Sequence, residues 1–166
     1  MAYYAKLGPD NIVLRVDAVD NEICTTPDGD ESDELAIDHL IQVSGEDGTW
    51  IKCSYNTRLG KRCDEFGRPT EEPGLRANWP GGKCDPENGN VWYYNEEHDI
   101  FHRIKPSNRD SWTLNTVTGD WEPPYPCPKV TREQVESNIA YVWSEESYQL
   151  DNNNGWILIS PESSVE

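Results

Sequence analysis

Two histidines four apart, His98 and His102, have the spacing of zinc ligands on one helix face. Glu97 precedes the first, no H-E-x-x-H is present, and both fall in a predicted hairpin return. There, residues i and i+4 share a face without converging on one point. Isolated surface histidines are the plainer reading. The acidic run from Asp28 resembles a calcium loop only superficially. Its sixth position is Asp33 rather than Gly, and its twelfth is His39 rather than Glu. Cys53 or Cys84 could be set beside His39 as nucleophile and base, but no spacing supports the pairing, and free Cys usually packs. A G-x-S-x-G elbow, a phosphate-binding loop and a dinucleotide fingerprint are all absent. With 31 Asp and Glu, pairs of carboxylates arise by chance and signify nothing without a cleft. These residues predict no catalytic centre, no metal and no cofactor.

Composition narrows the alternatives. The formal net charge is −17, which disfavours nucleic acid as a direct partner, because phosphate binding needs a basic surface. It suits solvation, self-repulsion or docking on a basic surface. Leu, Ile, Val and Phe together make 31 of 166 residues, a share that in an acidic chain ordinarily accompanies disorder. Seven Trp and eight Tyr argue the other way, since each buried ring removes roughly 150–250 Å² from water. The expectation is a folded chain with an aromatic core. No apolar run approaches the roughly 18 residues of a membrane helix, and no basic-then-apolar leader opens the chain. The five cysteines form no C-x-x-C and no Asn-x-Ser/Thr sequon occurs, so a soluble protein with reduced thiols, assembled in a cytosol, is expected.

The elements read as mainly β with minor α. Residues 1–55 predict a hairpin turning at Gly8–Asn11, a helix and a short strand over Thr49–Tyr55. The helix is marked by acids before Leu35, by Ala36, Ile37, Leu40 and Ile41 on one face, and by a Ser44-Gly45 stop. Residues 56–90 are rich in Gly, Pro, Asn and Arg and read as a long irregular connecting region. Residues 91–166 carry a repeat of aromatic, x, large apolar, Asn or Ser, then a second aromatic and a Pro. Its copies are Trp92-Tyr94-Asn95-Phe101-Pro106, Trp112-Leu114-Asn115-Trp121-Pro126 and Tyr141-Trp143-Ser144-Trp156-Pro161, the last with a lengthened turn. Each copy predicts a short β-hairpin whose inner pair, Tyr94/Phe101 or Leu114/Trp121, faces across the strands. One such hairpin is marginal alone and must stack on its siblings or on another chain. A short helix with a capping box is predicted after Thr131.

The candidate contact residues are therefore rings and arginines: Tyr55, Arg58, Arg76, Trp79, Trp92, Trp112, Trp121, Trp143 and Trp156. Arg58, Arg62, Arg68 and Arg76 gather in SYNTRLG, LRANWPG and the stretch between, either to seat an acidic partner or, the favoured reading, to pair with the chain's own acids. The rings could form a platform for flat sugar faces, with glycan as ligand. Packing of the hairpins against one another is the favoured account.

In order along residues 1–160, these motifs resemble a family of small structural proteins of marine tailed bacteriophages, especially cyanophages. Gly48-Thr49-Trp50 with Ser54-Tyr55-Asn56-Thr57-Arg58 is similar to its G-T-W-x-x-x-S-Y-N-T-R segment, and Leu75–Gly81 to its L-R-x-N-Y-P-G. Tyr94 with Asp99-Ile100-Phe101, Lys105-Pro106, Ser111–Asn115, Thr118 and Trp121–Pro126 continue the pattern. Leu59 stands where the family tends to Gly and Trp79 where it tends to Tyr. The resemblance implies a virion component in several copies, assembled in the host cytoplasm and docked on other virion proteins of capsid, neck, tail or baseplate. Self-association is allowed, and no catalytic residue is carried over. A receptor- or glycan-binding module at a tail fibre is the alternative.

Overall fold

The computed structural model describes residues 1–58, 60–74, 80, 85, 87 and 89–160. It is mainly β, in several small antiparallel sheets with three α-helices among the described residues. The chain divides into two compact units: residues 1–104 with 115–120, and residues 105–114 with those from 121 onward.

The first unit is organised by one strand. β1 (Ala2–Leu7) lies between β2 (Val13–Val19) and β3 (Thr49–Cys53), in the sheet order β2-β1-β3. The predicted turn is a short 3-10 segment over Pro9–Asn11, with Asp10 and Asn11 both left-handed (φ 55° and 59°). Because successive side chains of β1 point to opposite faces, Ala2 and Tyr4 join Val19 and Trp50 on one side, while Ala5 and Leu7 join Val13 and Cys53 on the other. Each face has its own cover. α1 (Asp33–Ser44) lays Ala36 and Leu40, flanked by Ile37 and Ile41, on the first. The hairpin of β7 (Trp92–Asn95) and β8 (Ile100–Arg103) lays Phe101, flanked by Trp92 and Tyr94, on the second.

Carboxylates tie α1 to its sheet at both ends. Ser32 caps the helix by accepting from the Leu35 amide, and Gly45 ends it in the left-handed region. Asp33, in the first turn, accepts from the Tyr4 hydroxyl at 2.9 Å and from Lys52 Nζ at 3.0 Å. Glu46, just past the last turn, accepts from the buried Lys6 ammonium and from Arg15 Nη1. Both cations also lie over the Trp50 ring, 5.7 and 5.5 Å from its centroid. A hydrogen bond from Lys6, and the charges of Lys6 and Arg15, hold the Glu46 carboxyl below the usual range.

Residues 57–73 are more regular than their composition suggests. β4 (Thr57–Arg58), β5 (Lys61–Cys63) and β6 (Pro69–Pro73) form a three-stranded meander. Its ion pairs, Lys61–Glu71 at 3.1 Å and Arg62–Glu72 at 3.5 Å, join β5 to β6. Asp64 shapes the connecting turn by accepting from the amides of Phe66 and Arg68 and from Arg68 Nε. The strands are polar and mostly exposed, so no apolar alternation announces them.

In the second unit β9 (Thr113–Leu114) pairs with β10 (Trp121–Glu122), and β11 (Ala140–Trp143) with β12 (Trp156–Ile159). α2 (Arg132–Glu136) begins with the predicted capping box between Thr131 and Gln134. The repeat reads directly onto the ladders: Tyr94 faces Phe101, Leu114 faces Trp121, and Trp143 faces Trp156. The lengthened third turn holds a helix that the hairpin repeat does not predict, α3 (Glu145–Leu150), capped by Ser144 and carrying two acids in its first turn.

Phe101 and Tyr4 are both wholly buried, but only Tyr4 carries a polar atom, the hydroxyl that donates to Asp33. Phe101→Ala is expected to lower unfolding free energy in urea by about 3–5 kcal/mol, the range for deleting a core ring. Tyr4→Phe, which removes only the bond to Asp33, should lower it by about 1 kcal/mol. Equal losses would contradict this assignment of the core.

Candidate functional site

The described histidines and cysteines are dispersed. His98 sits in the β7–β8 turn with its ring nitrogen 3.3 Å from Asn95 Oδ1, whereas His102 stacks on Tyr93 and places Nδ1 2.9 Å from the Arg103 carbonyl. Among the described residues no three His, Cys, Asp or Glu side chains are grouped to hold a metal ion. The four described cysteines are free, and Cys24, Cys53 and Cys63 are buried. Burial pushes the Cys53 thiol up to about 12, which keeps it protonated and unreactive at neutral pH. Cys84 lies outside the described residues.

The predicted contact rings divide into two kinds. Trp143, 3% exposed, is the centre of the second unit. The ring centroids of Tyr148, Trp156, Tyr125 and Trp112 lie 5.2, 5.3, 5.5 and 6.0 Å from it, and the Trp112 and Trp156 contacts are edge-on. A Cβ on Gly155 would stand 2.4 Å from the Trp143 ring, so that close approach requires glycine. Trp156 donates its indole N–H to the Tyr125 carbonyl at 3.1 Å, and the Gly155 amide donates to the Tyr125 hydroxyl at 2.6 Å. Packing accounts for these rings. Trp92, half-buried, donates to Asn90 Oδ1 and carries Arg103 5.3 Å from its centroid, while Trp121 is covered by Lys105 at 5.2 Å.

Tyr55 and Arg58 are different. Tyr55 is 56% exposed with its ring 6.4 Å from that of Tyr3, and Arg58 donates to the Gly67 carbonyl at 3.4 Å. They border an open cleft of about 520 Å³ with Arg62, Asp64, Glu65 and Phe66. Of the four clustered arginines, Arg62 and Arg68 pair with this chain's own Glu72 and Asp64. Arg76 and Trp79 lie outside the described residues.

One run of exposed aliphatic side chains lies together on a single two-stranded ribbon. Val142 faces Ile157 across the β11–β12 ladder, and these are 37% and 38% exposed. Leu158 and Ile159 follow at 48% and 42%. Neither strand contains a charged residue, and among the described residues the sheet stops at two strands. This ribbon, backed by the Trp143 cluster, is the candidate contact surface. The signal for it was WILI, four large apolar residues in a return strand where a half-buried strand would alternate with polar ones.

One carboxylate holds the cluster behind the ribbon. Glu145 Oε2 accepts from Trp143 Nε1 at 3.0 Å and Ser111 Oγ at 2.8 Å, while Oε1 accepts from the Ser111 amide at 3.0 Å and Gln149 Nε2 at 2.8 Å. Burial favours protonation, but the bonds from Trp143, Gln149 and Ser111 outweigh it and bring the carboxyl down to about 2. A pKa below its unfolded value of about 4.3 contributes stability above that pH, lost as pH falls toward the folded value. Glu145→Gln turns one acceptor into a donor facing other donors. The variant should unfold at lower urea than wild type at pH 7, with the gap narrowing as both are acidified between about pH 5 and 2. Tryptophan fluorescence across such titrations gives the answer, and a gap independent of pH would refute the role of this charge. Gly155→Ala should weaken the same transition, since the new methyl collides with the indole.

Comparison with known proteins gives no matching family model, no matching curated protein and no matching solved structure.

Proposed function

We propose that this chain is a non-enzymatic structural component of a bacteriophage particle, which docks on capsid, neck, tail or baseplate proteins and reinforces or decorates them. The observation that carries the proposal is the β11–β12 ribbon: an uncharged two-stranded sheet with exposed Val142, Ile157, Leu158 and Ile159, supported from behind by packed rings. Unfinished sheets with apolar side chains are extended by neighbours rather than by solvent. The remaining surface is acidic and suits a basic neighbour, and the ordered motifs from Gly48 to Pro126 favour a virion role. The described residues contain no helix long and apolar enough to cross a membrane. The glycan-binding alternative draws less support, because Trp112, Trp143 and Trp156 turn toward one another instead of presenting flat faces.

Quantitative mass spectrometry of purified phage particles tests the proposal. The chain should be present at a fixed ratio to the major head or tail proteins and survive a high-salt wash. Absence from the particle refutes it. Binding of purified protein to host lipopolysaccharide, competed by soluble glycan, would transfer the role to adhesion.

A further inference from the structure

The ribbon has a more specific occupant than an unspecified neighbour. Among the described residues, β11–β12 is the one sheet with no charged side chain in any strand, in a chain of net charge −17. The other sheets contain Lys, Arg, Asp or Glu within their strands. Charge therefore sorts the possible partners. A basic partner is drawn first to the acidic surface, whereas the uncharged edge offers it apolar and main-chain contacts alone. A second copy is repelled by that surface and meets least opposition at this edge. Screening helps further, because surface charges more than about 8 Å apart interact weakly at physiological salt.

The two strands do not offer equal edges. The chain entering β11 is tied to α2, the Ile139 amide donating to the Gln134 carbonyl at 2.8 Å, and Trp143 in β11 is buried. β12 presents Ile157, Leu158 and Ile159 exposed in succession, and its ladder with β11 runs without a bulge. Within its four residues there is no Lys, no Pro and no charge to discourage pairing. We infer that β12 pairs antiparallel with β12 of a second copy, closing a four-stranded sheet across a two-fold axis.

The side-chain pattern fits that symmetry. A two-fold axis perpendicular to a sheet preserves its faces, so residues of equal parity must stand opposite each other. With Leu158 facing its own counterpart, Ile157 faces Ile159. Ala140, Val142, Ile157 and Ile159 of both copies then form one aliphatic face, and Leu158 joins the Trp143 and Trp156 side of both. Edge pairing satisfies main-chain groups along β12 and extends the sheet from two strands to four. The inference uses the ribbon that supports the particle reading but is separable from it, since pairing is read on purified protein and particle association on virions.

Sedimentation equilibrium of the full chain over a wide concentration range tests it. The expected result is a monomer–dimer equilibrium that tightens as salt is raised, because like charges are being screened. Hydrogen exchange at residues 156–159 should slow in concentrated relative to dilute protein. Ile159→Lys should weaken the dimer by about tenfold or more, by placing like charges near the shared edge. Val43→Lys, on an exposed position of α1, should leave it unchanged. Near-UV circular dichroism establishes that each variant is folded, and the salt and exchange results need no variant. A monomer at every concentration and salt overturns the inference. So does a dimer indifferent to Ile159→Lys with unaltered exchange in β12, and so does growth beyond the dimer without limit.

Discussion

The controlling constraint is a shortage of aliphatic volume. With 31 Leu, Ile, Val and Phe in 166 residues, the chain cannot fill one large interior. It builds several small ones, each centred on a ring: Tyr4 and Trp50 on one face of β1, Phe101 on the other, Trp143 in the second unit. The arrangement places heavy demands on β1, whose side chains serve both faces of a three-stranded sheet, and it explains why that strand is almost continuously buried. Sheets elsewhere in the chain are short because there is little apolar material left to back them.

Rings bring polar atoms into the interior, and the acidity of the chain follows partly from that need. Trp143 donates to Glu145, Tyr4 to Asp33, Tyr94 to Asp99 and Trp92 to Asn90. An indole or phenol without an acceptor loses the bond it made to water. Placing a carboxylate beside it restores the bond and fixes the ring's orientation, which an apolar contact alone does not. Among the described residues Trp50 and Trp112 are the exceptions, with buried indole nitrogens lacking a partner. Both carry a cation over the ring, Arg15 at 5.5 Å and Arg109 at 5.3 Å, so attraction through the π face offsets part of what the nitrogen loses. Glu145 serves two functions at once, accepting from the core indole and occupying the first turn of α3, where the amide dipoles favour a negative charge.

How much of this was legible in the sequence depends on whether a local rule sufficed. Two hairpin registers were, because a large apolar residue and a second aromatic at fixed spacing around an Asn turn leave few alternatives, and Tyr94/Phe101 and Leu114/Trp121 face each other as expected. α1 and α2 were, because Gly45 and the Thr131–Gln134 box are strong local signals. α3 was hidden inside a repeat whose other copies turn without a helix, although Ser144 followed by two acids is an N-terminal signature. The β4–β6 meander was hidden because its strands are held by ion pairs and a turn rather than by a buried face. The contact surface was legible only in part. Tyr55 and Arg58 are exposed, Trp143 is buried, and Trp92, Trp112, Trp121 and Trp156 are half-buried.

Ring identity alone does not separate a core from a contact surface. Large rings are enriched both in interfaces and in interiors, so their identity does not say which they serve. In a chain rich in aliphatics an excess of tryptophan would point outward. In this one the rings have replaced the aliphatics inside, and the few remaining aliphatics stand out by their position. Ile157, Leu158 and Ile159 could have filled the interiors that Trp143 and Phe101 fill, and they lie on an uncharged edge instead. Exposed aliphatic surface adds nothing to the stability of the isolated fold and invites association. The strand therefore makes sense as part of a sheet that the single chain leaves incomplete.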